Sequence, residues 1–170
     1  MKKHFLLICN LTAALFLAQC SGKKDAPSPA IPANTASVVV DGQNLAANVS
    51  ASTVTLNTRN NEVLVTLNSS GGSRVVIRLL EFKKAPARFV ITDANSPSGP
   101  YYTEAANGRF LYFDPRACSS NNRTVEISAF NASQHTISGT FSGTVCGTGS
   151  NTRAVQLTNG QFNLPYAEVQ

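Results

Sequence analysis

Between Thr136 and Cys146 polar and apolar positions alternate without a break. Thr136, Ser138, Thr140, Ser142 and Thr144 hold one parity, and Ile137, Gly139, Phe141, Gly143 and Val145 the other. A period of two puts one face in a core and one in water, the pattern of a half-buried β-strand. Arg153–Leu164 returns across the loop Gly147–Thr152, so His135–Pro165 reads as a hairpin. Val155 and Leu157 share one parity, Phe162 and Leu164 the other. That phase change at Asn159-Gly160 predicts a β-bulge, for which glycine is the usual enabler.

The preceding chain repeats the pattern more loosely. Val38-Val39-Val40 runs into Asp41-Gly42, a hairpin-turn dipeptide, and Leu45–Val49 would return. Thr53–Asn57 and Glu62–Asn68 alternate around the polar turn Arg59-Asn60-Asn61, and Gly71-Gly72 marks the next turn. Arg74–Phe82 is apolar on both parities, which predicts a strand that is central or covered by a loop. Phe89–Thr92, Tyr101–Thr103, Arg109–Asp114 and Arg123–Phe130 follow, with the loop Asp93–Pro100 among them. No stretch after residue 20 keeps a helical period for ten residues. The predicted fold is all-β, an antiparallel β-sandwich or flattened barrel of about ten short strands.

Composition supports a globular chain, 42% hydrophobic and 14% charged. The formal net charge is +5, but from Ala36 onward ten Arg or Lys stand against eight Asp or Glu. These charges are spread, with no basic run interleaved with aromatics, which speaks against a nucleic-acid partner.

The first residues have a different character. Lys2-Lys3 precede the short apolar run Phe5–Phe16, and Leu17-Ala18-Gln19-Cys20 follows. The run is too short to span a bilayer comfortably and reads as a cleaved export signal. Leu-Ala-Gln-Cys resembles the lipobox of bacterial lipoproteins, which implies a signal peptide over residues 1–19 and lipidation of Cys20. Residues 20–35, rich in Ser, Pro, Ala and Lys, form a flexible tether, and residues 36–170 form a single domain. Several acyl chains on one residue anchor stably. In the sorting logic of such lipoproteins, Ser21 favours the outer membrane, on either of its faces.

Cys118 and Cys146 are left in the exported domain and are expected to form a structural disulfide at a sheet edge or strand end. Neither a C-x-x-C spacing nor a His cluster supports a metal or redox pair, and no cofactor is expected. His135 is the one histidine of the mature chain, a turn residue by its surroundings, and the carboxylates are scattered. Hydrolytic triads and paired-acid chemistry therefore lack parts, and a non-enzymatic domain is expected. Tyr101, Tyr102, Tyr112, Phe113 and Phe130 are candidates for an aromatic surface. Tyr101 and Tyr102 with Arg109 form the candidate platform for an envelope protein, a peptide or a glycan. Ser98-Gly99-Pro100-Tyr101-Tyr102 also fits the loose SGxxY loop of lipoprotein lysozyme inhibitors, the alternative reading.

Val40-Asp41-Gly42, Ile137-Ser138-Gly139-Thr140-Phe141 and Leu157-Thr158-Asn159-Gly160-Gln161-Phe162 together resemble a family of small β-rich Bacteroidetes lipoproteins. The resemblance runs from about Ala36 to Tyr166. It implies a lipid-anchored all-β domain. That family is functionally uncharacterised, so it brings no catalytic residues.

Overall fold

A computed structural model describes residues 30–119 and 122–170. The expected signal peptide, Cys20 and the expected tether up to residue 29 lie outside the described residues. Among the described residues twelve strands form one sheet, antiparallel except at the C-terminus. In chain order they are β1 Thr35–Val40, β2 Gln43–Ala46, β3 Thr53–Asn57, β4 Glu62–Asn68, β5 Arg74–Leu79 and β6 Ala87–Ile91. There follow β7 Gly99–Ala106, β8 Arg109–Asp114, β9 Arg123–Asn131, β10 Thr136–Gly147, β11 Ala154–Pro165 and β12 Ala167–Val169.

The sheet folds over on itself around one core. One leaf runs β12-β3-β4-β5-β7-β8, and the other is β6-β9-β10-β11-β1-β2. They join where the last residues of β10 leave β9 and pair with β8, Cys146 with Asp114 and Gly147 with Phe113. On the far side a single bridge, Ala47 to Ser69, brings the end of β2 to β4 without closing the barrel. Along the longer strands of both leaves, alternate residues point inward. Val54, Leu56, Val63, Val65, Val75 and Ile77 from the first leaf meet Val125, Ile127, Ile137, Val145, Leu157 and Leu164 from the second.

The alternation in β10 and β11 comes with close packing. Gly139 stands opposite Phe162 and Phe141 opposite Gly160, so each ring lies over a glycine of the neighbouring strand. A Cβ on Gly160 would sit 2.6 Å from the Phe141 ring. The bulge lies where expected, with the register shifting between Phe141 and Gly143. The residue with positive φ is Asn159, at 50°. The glycine therefore serves the ring, and asparagine serves the turn in the backbone.

Several elements differ from expectation. The strand expected over Arg74–Phe82 ends at Leu79, because Glu81 takes a positive φ of 57° and turns the chain. Phe82 is still buried, its N–H donating to the Asn61 carbonyl at 2.8 Å. One strand has no counterpart among the expected segments: β12 pairs parallel to β3, its three residues all exposed. His135 is the expected turn residue, with φ 50°. Its ring stacks on Tyr166, which stacks in turn on Phe130, and Phe130 meets Phe82 edge-on. These four rings close one end of the core.

Candidate functional site

Cys118 and Cys146 form a disulfide with Cα atoms 5.1 Å apart, at the end of β10 as expected. The bridge fastens the short 3-10 turn Pro115–Ala117 to the fork where β10 passes from β9 to β8. Closing a loop of 28 residues stabilises by about 3.5 kcal/mol in the chain-entropy account.

The three residues expected to form a platform take separate places. Tyr102 is buried in the core, its ring 5.5 Å from Phe113. Tyr101 points to the outer face, half-buried, and its hydroxyl donates to the Pro97 carbonyl at 2.7 Å. Burial raises the pKa of both phenols, and the Asp114 charge adds to this at Tyr101. Arg109 is exposed beside the Asn107-Gly108 turn, seven residues further along. Of the wider aromatic set, Phe113 and Phe130 are also taken up in packing. The Ser98–Tyr102 segment is built into the start of β7 with Gly99 and Pro100 buried, so it is not a projecting loop.

The loop Asp93–Ser98 is held from within. Arg123 is fully buried at the start of β9. Its guanidinium donates to the carbonyls of Asp93 at 2.7 Å, Ser98 at 2.8 Å and Ser96 at 3.3 Å. Burial lowers its pKa, against the charges of Tyr101, Asp114 and Asp93, yet an arginine stays protonated across the accessible pH range. The carbonyls hold its two terminal nitrogens, while Nε is buried without a partner among the described residues, and the clamp fixes a loop shape. It offers nothing outward.

At one mouth of the core a cleft of about 290 Å³ is lined by Asp41, Gln43, Asn44, Tyr102, Glu104 and Arg153, among others. Two carboxylates thus face one cleft. Both are engaged: Glu104 pairs with Arg153, and an Asp41 carboxylate oxygen accepts the Gln156 N–H at 2.8 Å. Arg153 also lies over the Phe113 ring, 4.9 Å from its centroid.

The outer face of the first leaf is different. Phe110 and Tyr112 stand two apart on β8, on the parity opposite buried Phe113, and are 57% and 55% exposed. Register carries the row onward from Tyr112 to Thr103, Arg74 and Asn68. These residues and Gly72 line a hollow of about 210 Å³. Thr103, 8% exposed, forms its floor. The Arg74 guanidinium makes no ion pair or hydrogen bond among the described residues, whereas Arg78, Arg116 and Arg153 pair with Glu62, Asp114 and Glu104. Sequence reasoning named Tyr112 but missed Phe110 and Arg74. The run Arg109–Asp114 hides which parity faces out, and Arg74 is brought in only by sheet pairing.

No group of three or more metal-ligating side chains occurs among the described residues, and no helix of the described residues is long and apolar enough to cross a membrane. No family model, no curated protein and no solved structure matches the chain.

Proposed function

We propose that the chain is a lipoprotein of the outer membrane, anchored through Cys20, whose β-domain is a non-enzymatic binding or accessory module of the cell envelope. The observation that carries the reading is the outer face of the first leaf. Two large aromatic side chains are left in water beside a hollow whose Arg74 guanidinium makes no ion pair or hydrogen bond among the described residues. Scattered exposed apolar residues are ordinary, but two adjacent aromatics beside an unpaired guanidinium make a recognition surface. The acids of the mouth cleft serve the fold instead, which supports binding over catalysis. The lipobox-like Leu17–Cys20 and the resemblance to β-rich Bacteroidetes lipoproteins support the anchor.

Two measurements test this reading. Cys20→Ala is expected to move the protein from the membrane pellet to the soluble fraction, and unchanged fractionation would remove the anchor. A photo-crosslinker at position 110 in intact cells is expected to give a discrete adduct that Tyr112→Ser abolishes. A crosslinker at exposed Val90 should not give that adduct. No adduct from position 110, or the same one from position 90, would remove this face as the binding site.

A further inference from the structure

We propose that the hollow between β8 and β5 receives one carboxylated sugar ring of an acidic glycan. The proposal rests on the reading of the domain as a binding module and names its ligand. Size comes first: about 210 Å³ falls below the roughly 300–1,000 Å³ usual for small-molecule clefts, so a single ring-sized group is accommodated. Phe110 and Tyr112 offer it aromatic surface. An aromatic face is the negative side of the ring quadrupole, and it attracts the C–H face of a pyranose, whose hydrogens are made positive by the neighbouring oxygens. The short polar groups suit hydroxyls. Thr103 on the floor makes no side-chain hydrogen bond among the described residues, and Asn68 uses its carboxamide N–H on the Ala51 carbonyl at 2.6 Å, leaving its oxygen to accept.

Arg74 sets the charge. It lines the hollow without an ion pair, and no carboxylate lines it with Arg74. A planar guanidinium forms paired hydrogen bonds to a carboxylate, at once electrostatic and geometrically selective. A neutral sugar would leave that group unused. An acidic peptide would satisfy Arg74 but offers no flat C–H face to Phe110 and Tyr112.

The test uses the full chain, solubilised in detergent and immobilised, against oligogalacturonate, its methyl ester, sialyllactose, a neutral cello-oligosaccharide and oligoglutamate. At least one of the two carboxylated glycans is expected to bind. Its methyl-esterified or neutral counterpart, and Arg74→Gln with the acidic glycan, should be weaker by about tenfold or more, the scale of one hydrogen bond to a charged group. Phe110→Ser and Tyr112→Ser should each reduce binding similarly, with denaturation midpoints unchanged because both positions are exposed. Equal affinity for neutral and acidic sugars would overturn the carboxylate assignment. Equal binding of oligoglutamate, independent of Phe110 and Tyr112, would overturn the sugar. If neither acidic glycan binds while the adduct from position 110 persists in cells, the ligand class is wrong and the binding-module reading stands. If both fail, both fall.

Discussion

At the scale of single residues, the glycines of the long hairpin and buried Arg123 carry the sharpest consequences. A methyl group on Gly160 would press on the buried Phe141 ring from 2.6 Å, so the ring would have to shift. Gly160→Ala is therefore expected to destabilise by about 1–3 kcal/mol, the range for overpacked cores. Urea denaturation checks this, and Phe141→Leu in the same chain should recover part of the loss. If the two losses simply add, the clash is not the cause. Arg123→Met keeps much of the volume but removes three donors from the carbonyls of Asp93, Ser96 and Ser98. It should lose about 1–3 kcal/mol, with amide exchange rising first in residues 93–98. Unaltered exchange there would show that the loop holds its shape without the guanidinium. The clamp was not legible in the sequence, where Arg123 reads as one more polar residue at a strand start. Its burial depends on where β7 and β10 come to lie.

At the scale of elements, legibility followed the strength of alternation. β10 and β11 were readable nearly to the residue because ten successive positions keep one period and the bulge announces itself as a phase change. β12 was unreadable: three exposed residues have no inward face to leave a pattern. The aromatic hollow was half readable, since Phe110, Leu111, Tyr112 and Phe113 are apolar on both parities. One element also couples to pH. Asp114 caps the turn Pro115–Ala117, accepting the Arg116 N–H at 2.8 Å, and pairs with the Arg116 side chain. Burial pushes its pKa up, but the hydrogen bonds and charge of Arg116, with the charge of Arg123, outweigh burial and leave it lowered. A lowered carboxylate pKa stabilises the fold above the ordinary carboxylate value of about 4, and that contribution is lost as pH falls through the folded value. The pair is half-exposed on its arginine side, so Asp114→Asn should cost no more than about 1 kcal/mol at pH 7. The difference from the parent chain should shrink below about pH 4. A constant difference across that range would assign the effect to the cap alone.

At the scale of the whole molecule, the two leaves are joined at the β8–β10 fork, at the Ala47–Ser69 bridge and by the chain's own end. After Pro165 the chain leaves the second leaf, buries Tyr166 between the rings of His135 and Phe130, and adds β12 to the first. The crossing is fastened beyond its strand pairing, with Thr58 donating its N–H to the Val169 carbonyl at 2.9 Å and Tyr166 its own to His135 at 2.8 Å. Two effects should separate on truncation. A chain ending at Pro165 loses the Tyr166 ring and should be destabilised by about 3–5 kcal/mol, as for removal of a buried aromatic. A chain ending at Tyr166 keeps the ring in its stack and should lose much less. Both expose the edge of β3, whose unpaired N–H and C=O groups would template pairing with another copy. Both truncated chains should therefore scatter more light on concentration, even though only the first unfolds at markedly lower urea. Scattering that tracked stability alone would mean that β12 is not needed to cover the edge. Equal stability of the two truncations would mean that Tyr166 does not hold the leaves together.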